Sequence, residues 1–176
     1  TPMLRKINRF MLVLLCLVAG FLAIAELGFA LTMPIPDRMD MSDGDLVFQT
    51  SLSAQSEVLR RATGSAYTHM AVVFLRGGAS SPWVLEAVGP VRWTPYASWV
   101  ARGEGGRVIV RRLRAAETVL TQPVLDRMRA LATSLIGRPY DPQFRWDDER
   151  LYCSELAYKL YERAAGAMDR VADDIS

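Results

Sequence analysis

Residues 67–88 read YTHMAVVFLRGGASSPWVLEAV, and this stretch decides the fold. MAVVFL, Met70 to Leu75, is a continuous apolar run of strand length. Gly77 to Pro82 collects turn formers, and WVLEAV, Trp83 to Val88, runs back as the partner. The pattern predicts a buried antiparallel hairpin. Two of its residues carry chemistry. His69, the sole histidine of the chain, stands at the start of the first strand behind SAYT, where an imidazole can face a cleft. Glu86 interrupts an otherwise apolar strand, and a carboxylate there is costly to bury without a partner. If paired residues have numbers summing to about 155 or 157, His69 and Glu86 share a face as direct opposites or diagonal neighbours. A slip of one residue would put them on opposite faces. Taken alone, Glu86 is equally well explained as a partly exposed strand residue or as one end of a salt bridge to an arginine.

Working outward, LVFQ at Leu46 to Gln49 reads as a short strand. Ser53 to Thr63 suits a helix with Val58 and Leu59 inward and Gly64 as its stop. Thr94 and Pro95 open a short helix through Trp99, GEGG at Gly103 to Gly106 reads as a turn, and Arg107 to Arg112 alternates as a further strand. Thr121 and Pro123 open a helix whose Leu125, Met128, Leu131 and Leu135 recur at helical spacing until Gly137. Arg138 to Arg150, polar and proline-containing, reads as an ordered loop. The last helix runs from 153 to 165 with Leu156, Leu160 and Ala164 inward, Glu155 four residues before Lys159, and Gly166 past its end.

That helix begins at Cys153, one of two cysteines in the chain. Unpaired N–H groups and the helix dipole stabilise a negative sulfur there and lower its pKa. Free cysteine is also among the most buried residue types and commonly serves as a small hydrophobe. An imidazole within reach would take the thiol proton and return it to a leaving group, while a carboxylate on the other ring nitrogen fixes the tautomer. Cys153, His69 and Glu86 then form a nucleophile, a base and an orienter.

The other cysteine, Cys16, lies in an apolar run from Phe10 to Met33 interrupted only by Glu26 and Thr32. About 20 such residues cross a hydrocarbon core as a helix. Arg5, Lys6 and Arg9 precede the run, and no basic residue follows it until Arg38, which directs the following domain outward. A retained anchor and a signal peptide cut after Ala30 both fit. Residues 1–33 are thus expected to be a membrane or signal segment, 34–44 (PIPDRMDMSDG) a linker, and 45–176 one globular domain, extracytoplasmic and with a free thiol at Cys153, since Cys16 cannot bridge to it.

The 176 residues hold 21 Lys+Arg and 19 Asp+Glu; setting aside Arg5, Lys6, Arg9 and Glu26 leaves equal numbers of each. That balance argues against a nucleic-acid partner. One histidine and one domain cysteine make a poor soft-ligand set, so neither a metal nor another cofactor is expected. Asp147, Asp148 and Glu149 suit a hard cation or, more simply, a solvated acidic loop. No glycine-rich phosphate loop is present.

With these residues placed, the chain resembles the permuted papain-like cysteine hydrolases of the YiiX type, circularly permuted relatives of the NlpC-type cell-wall peptidases. The resemblance rests on DGDLVF (Asp43 to Phe48), YTHMAVV (Tyr67 to Val73), VLEAV (Val84 to Val88), GRPYD (Gly137 to Asp141) and YCSEL (Tyr152 to Leu156), in the family's order. It implies an α+β fold in which the nucleophile helix packs on an antiparallel, barrel-like sheet carrying the histidine. It also implies Cys153 as nucleophile, His69 as base and Glu86 as third member. The motifs do not reveal the oxyanion donor, for which the Cys153 N–H with Tyr140 or Tyr152 is a candidate set. The substrate classes are a peptide or acyl-amide, for which the compartment suggests peptidoglycan stem peptides, or a lipid, since lecithin retinol acyltransferase-like proteins are distant relatives. Trp83, Trp93, Trp99 and Trp146 suit either an acyl groove or an aromatic core. A noncatalytic membrane-anchored scaffold with the same fold is the remaining alternative, and it requires an inert, buried Cys153.

Overall fold

The computed structural model describes residues 41–76 and 82–166. The hairpin stands at the centre. β2 (His69–Leu75) pairs antiparallel with β3 (Pro82–Ala87), Val72 facing Leu85 and Val73 facing Val84. These numbers sum to 157, the diagonal alternative of the two expected registers. On its other side β2 pairs with β1 (Leu46–Ser51), placing Gln49 opposite His69. β4 (Val91–Pro95) and β5 (Gly103–Arg111) flank this centre, giving the order β4-β3-β2-β1-β5 with every pairing antiparallel.

Successive strand residues face opposite sides, and both sides of this sheet are covered. Leu46, Val72, Phe74, Leu85 and Val91 pack against two helices, α4 (Gln122–Leu135) and α5 (Cys153–Ala165), through Met128, Ala132, Leu156, Leu160 and Tyr161. Their neighbours Val47, Ala71, Val73 and Val84 meet Tyr96, Trp99 and Val100 of the short helix α2 (Tyr96–Ala101). The double covering explains why MAVVFL is continuously apolar. Burying each such Val, Leu or Phe contributes about 1.5–3 kcal/mol. α5 has the expected bounds and inward residues, and Gly166 ends it in the left-handed conformation, φ 59°.

Several expectations are corrected. Among the described residues the sheet is open: β4 and β5 are its edges, and no pairing between them closes a barrel. The helix expected from Ser53 starts at Ser56 (α1, Ser56–Thr63), where the Ser56 hydroxyl meets Thr68 Oγ1 at 2.7 Å. Val58 is 67% exposed, not inward, while Leu59 is half-buried and Ser56 is the helix's buried residue. Thr94 and Pro95 belong to β4; proline is tolerated there because β4 is an edge strand, and α2 follows it directly through Ala101. GEGG is part of β5, with Gly105 and Gly106 at φ 62°, next to an irregularity between Gln49 and Ser51 of β1. A further short helix, α3 (Ala116–Val119), precedes α4.

The DGDLVF motif anchors the sheet. Gly44 has φ 84°, and a Cβ there would lie 2.7 Å from Leu120 Cδ1. Asp43 accepts the Leu75 N–H (2.8 Å), and Asp45 takes two bonds from Arg112, each 2.8 Å. The Arg138 to Arg150 segment is an ordered loop. It is tied to β4 by Val91 N–H to Arg138 O (2.8 Å) and Gly137 N–H to Val91 O (2.9 Å), and by a parallel bridge between Tyr140 and Leu151. Asp141, 2% exposed, accepts the N–H groups of Gln143 and Arg145.

The apolar run of residues 10–33, expected to be an anchor or signal, lies outside the described residues, as do residues 77–81 of the expected turn. Among the described residues no helix is long and apolar enough to cross a membrane.

Candidate active site

The hairpin register carries Glu86 onto the face of His69, one diagonal step away, and the two side chains meet: His69 Nε2–H donates to Glu86 Oε2 at 2.9 Å. Glu86 has no exposed surface, so its charge must be met inside the protein. Its other oxygen, Oε1, accepts from Thr94 Oγ1 (2.6 Å) and Arg102 Nη2 (2.5 Å), with Arg92 Nε at 3.6 Å. The two sequence-level accounts of Glu86, histidine partner and arginine partner, hold together. Burial works to raise its pKa, but the bonds from His69 and Thr94 and the charges of His69 and Arg102 outweigh it and hold the carboxyl below the usual range. Thr94, Arg102 and Arg92 were not foreseen from the sequence. The signal was indirect: a fully buried carboxylate demands more than one donor, and only nonlocal pairing reveals which.

With Nε2 engaged by Glu86, Nδ1 is the ring nitrogen left for Cys153, which lines one cavity with His69 and lies close enough to shift its pKa. Burial disfavours the imidazolium. The hydrogen bonds and charges of Cys153 and Glu86 prevail, and the His69 pKa rises from 6.5 to about 9. The Cys153 thiol moves the other way. Burial raises it, yet the hydrogen bond and charge of His69, together with the backbone N–H groups of Met70 and Ser154, bring it below its ordinary value. The Ser154 N–H is one of the unpaired donors at the start of α5. Both shifts favour a thiolate–imidazolium pair. Cys153 is partly exposed, unlike a structural core cysteine. Trp99 flanks the imidazole, ring centroids 6.0 Å apart.

Two cavities adjoin His69. One, of about 300 Å³, is lined by Cys153 and Ser154 and by Phe48, Leu59, Met70 and Phe144. The other, of about 170 Å³, is lined by Gln49, Ser51, Ser53, Thr68, Arg102 and Tyr140. Neither is lined by a tryptophan. Trp93 packs edge-on to Phe74 (5.2 Å), Trp99 is buried beside Tyr96, and Trp146, 57% exposed, stands against Tyr158 (5.0 Å).

The tyrosines separate. Tyr140 lies near enough to Cys153 that burial and the sulfur's charge push it up to about 12, so its hydroxyl keeps its proton as a donor. Gly89, at φ 88°, lets β4's approach pass close to it: a Cβ there would lie 3.3 Å from Tyr140 Cβ. The Tyr152 ring packs edge-on to Phe144 (5.2 Å), and its backbone N–H donates to Glu155 Oε2 (3.4 Å) at the start of α5. The acidic stretch at 147–149 is engaged internally. Asp148 pairs with Lys159 (2.9 Å) and Arg163 (2.6 Å), whose bonds lower it to about 2, and Asp147 accepts the N–H groups of Glu149 and Arg150.

An α+β fold that sets a cysteine at a helix start beside a carboxylate-bonded histidine is the arrangement of the papain-like class. Comparison with known proteins gives the family. Residues 40–173 match the model described as "Permuted papain-like amidase enzyme, YaeF/YiiX, C92 family", and the chain belongs to that family. It is 41% identical over 123 residues to "Uncharacterized protein YiiX" of Escherichia coli (strain K12), a match covering 70% of this chain and 58% of that relative's length. A solved structure described as "Crystal structure of metalloprotein yiiX from Escherichia coli O157:H7" superposes with a TM-score of 0.66 at 40% identity, covering 71% of this chain and 67% of that one. The metal in that description belongs to that protein. Here, among the described residues, no group of three or more His, Cys, Asp or Glu side chains is gathered to hold an ion.

Proposed function

We propose that this chain is an extracytoplasmic cysteine amidase that cleaves a peptide or acyl-amide through a Cys153 acyl-enzyme. The observation that carries this is the buried Glu86 bonded to His69, with Cys153 at the start of α5 close enough to the same imidazole that each shifts the other's pKa. The thiolate attacks the scissile carbonyl carbon. The negative oxygen that forms is met by the Cys153 N–H and the Tyr140 hydroxyl, donors of the kind whose individual removal costs about 10²–10³ in rate. The imidazolium gives its Nδ1 proton to the departing nitrogen, and the C–N bond breaks, leaving a thioester. Neutral His69 then takes a proton from water, which attacks the thioester, and the returning thiolate restores the ion pair. Glu86 stays ionised throughout and holds the ring.

The basic residues ahead of the 10–33 run support export, with that run as membrane anchor or cleaved signal, and peptidoglycan stem peptides are the substrate that such a location offers. A lipid acyl substrate is the second reading. It is favoured by the apolar residues Phe48, Leu59, Met70 and Phe144 around the cavity that contains Cys153. The test is to incubate the full chain and its Cys153→Ala variant with muropeptides and, separately, with phospholipid or acyl-amide vesicles. Turnover of muropeptide or acyl-amide that vanishes in the variant supports the amidase; turnover of phospholipid alone replaces it with the second reading. No Cys153-dependent turnover in either defeats both.

A further inference from the structure

Both cavities border His69, but of the two only the one of about 300 Å³ is lined by Cys153. In a thioester the acyl carbon is bonded to the sulfur, so the acyl portion of a substrate extends into the cavity that Cys153 lines. The leaving amine needs only the imidazole, which the other cavity also borders.

The walls define that acyl portion. Among the ten described residues that line the cavity, none is Lys, Arg, Asp or Glu. Its charges are those of Cys153 and His69, and in the acyl-enzyme both are gone: the sulfur is in a thioester and the imidazole has given its proton to the amine. The two threonine hydroxyls are already engaged, Thr68 Oγ1 by the Ser51 N–H (2.9 Å) and the Ser56 hydroxyl (2.7 Å), and Thr63 Oγ1 by donating to Leu59 O (2.8 Å). Phe48, Leu59 and Met70 are half-buried and complete an apolar wall. A carboxylate or ammonium held there has no counter-charge to offset its desolvation, whereas each methylene gains by leaving water. Size sets a limit as well. An apolar cavity of about 150 Å³ holds a benzene ring, so twice that volume holds roughly eight to ten carbons once the carbonyl beside the sulfur has its share.

Phe144 stands at the rim, lining the cavity while 41% exposed. Its φ is 54°, in the left-handed region that a bulky residue occupies only when its surroundings hold it there. Asp141 is the holder: buried at 2% exposure, its carboxylate accepts the N–H groups of both neighbours, Gln143 (3.0 Å) and Arg145. Tyr152 packs edge-on against the ring at 5.2 Å. An aromatic ring fixed at the mouth limits how far a chain can run.

We infer that this cavity is an acyl subsite for an uncharged aliphatic chain of about eight to ten carbons, with Phe144 as the specificity-determining residue that sets the chain's length. Among peptide and acyl-amide substrates, this selects amides of medium-chain fatty acids. The role of the chain as the acyl half of a cleaved bond rests on the amidase reading; the ligand chemistry rests on the cavity alone.

Binding tests it without turnover. The full chain carrying Cys153→Ala, in lipid nanodiscs and labelled with [methyl-¹³C]methionine, is titrated at measured free concentrations with primary alkanamides from butanamide to dodecanamide. The Met70 methyl signal, identified by its loss in Met70→Leu, reports occupancy of the cavity. Affinity should rise about fourfold per methylene up to about octanamide and level off by decanamide. Heptanamide should bind about tenfold or more tightly than adipic acid monoamide and 6-aminohexanamide, which end in a carboxylate and an ammonium. Phe144→Ala should carry the rise past decanamide, and Phe144→Trp should end it earlier. Absence of a saturable Met70 shift, equal affinity for charged and uncharged chains, or an affinity that ignores length overturns the inference. A length limit that neither Phe144 substitution moves removes Phe144 from the role assigned to it. Lack of Cys153-dependent amide turnover would defeat the amidase and leave the chain-length and charge preferences standing, whereas failure of the binding series would leave the catalytic reading untouched.

Discussion

Replacing Glu86 by glutamine tests the histidine's electrostatics directly. Both carboxylate oxygens act as acceptors, Oε2 from His69 (2.9 Å) and Oε1 from Thr94 (2.6 Å) and Arg102 (2.5 Å). Glutamine keeps one acceptor and adds an NH2, so either His69 or the Thr94–Arg102 side faces a donor, and in both orientations the negative charge is gone. The His69 pKa of about 9 is reached against burial by two partners, Cys153 first and Glu86 second in both hydrogen bonding and charge. Losing Glu86 removes one of the two partners while the burial penalty stays. The pKa should therefore fall, and each unit of the fall is tenfold in the imidazolium population. Because His69 is the sole histidine of the chain, its ring resonances in a ¹³C or ¹⁵N NMR titration need no assignment. Wild type should titrate near 9 and Glu86→Gln well below it. A variant that still titrates near 9, or a wild type that titrates near the ordinary 6.5, would refute the ion-pair reasoning. Amide turnover should drop about 10²–10⁴-fold with the misoriented base.

Further outcomes follow from single contacts. If the Tyr140 hydroxyl serves the oxyanion as proposed, Tyr140→Phe should lower kcat about 10²-fold with little change in KM, since such a donor acts in the transition state; an unchanged kcat would remove it from the site. Activity against pH should be bell-shaped: it rises as Cys153 loses its proton below the ordinary thiol range and falls as pH passes about 9, where His69 ceases to be an acid, and a profile still climbing above that point would contradict the assignment. Gly44→Ala forces a left-handed residue to carry a Cβ 2.7 Å from Leu120 Cδ1; a loss of about 2 kcal/mol, or about 4–8 °C in Tm by calorimetry, is expected. Asp141→Ala frees the N–H groups of Gln143 and Arg145, so amides in 142–150 should exchange with solvent faster while the β2–β3 core amides keep their protection.

Local pattern carried the hairpin and the nucleophile helix. MAVVFL reads as a strand covered on both faces, and a thirteen-residue helical pattern from Cys153 to Ala165, stopped by Gly166, fixed the thiol at a helix start. The register followed to within two alternatives because a side-chain period of two allows few ways to place Glu86 with His69. What escaped was nonlocal. VRWTP is too short and too proline-rich to announce a strand, and β4 exists because Val91 to Pro95 finds β3, pairing Arg92 with Glu86. GEGG has the composition of a turn, yet its glycines serve a twisted edge strand, and Gly103 serves the amide of Gln49. Val58 obeyed helical spacing but lies on a helix whose buried residue is Ser56, leaving Val58 exposed. Arg102 and Thr94 reach Glu86 from two later elements, a convergence set by the fold and not by spacing. The burial of Gln49 carried no sequence signal, since a glutamine at the end of an apolar strand reads as a solvated terminus.

The most direct measurement is the rate of Cys153 alkylation by iodoacetamide as a function of pH, followed at that residue by peptide mass spectrometry, in the folded wild type and in His69→Ala. A Cys153–His69 ion pair requires a thiolate that reacts well below the ordinary thiol range in wild type, and a profile that returns toward the ordinary thiol value when the imidazole is removed. Identical profiles in the two proteins, or a Cys153 that stays unmodified until the chain unfolds, would contradict it and leave the scaffold reading in its place.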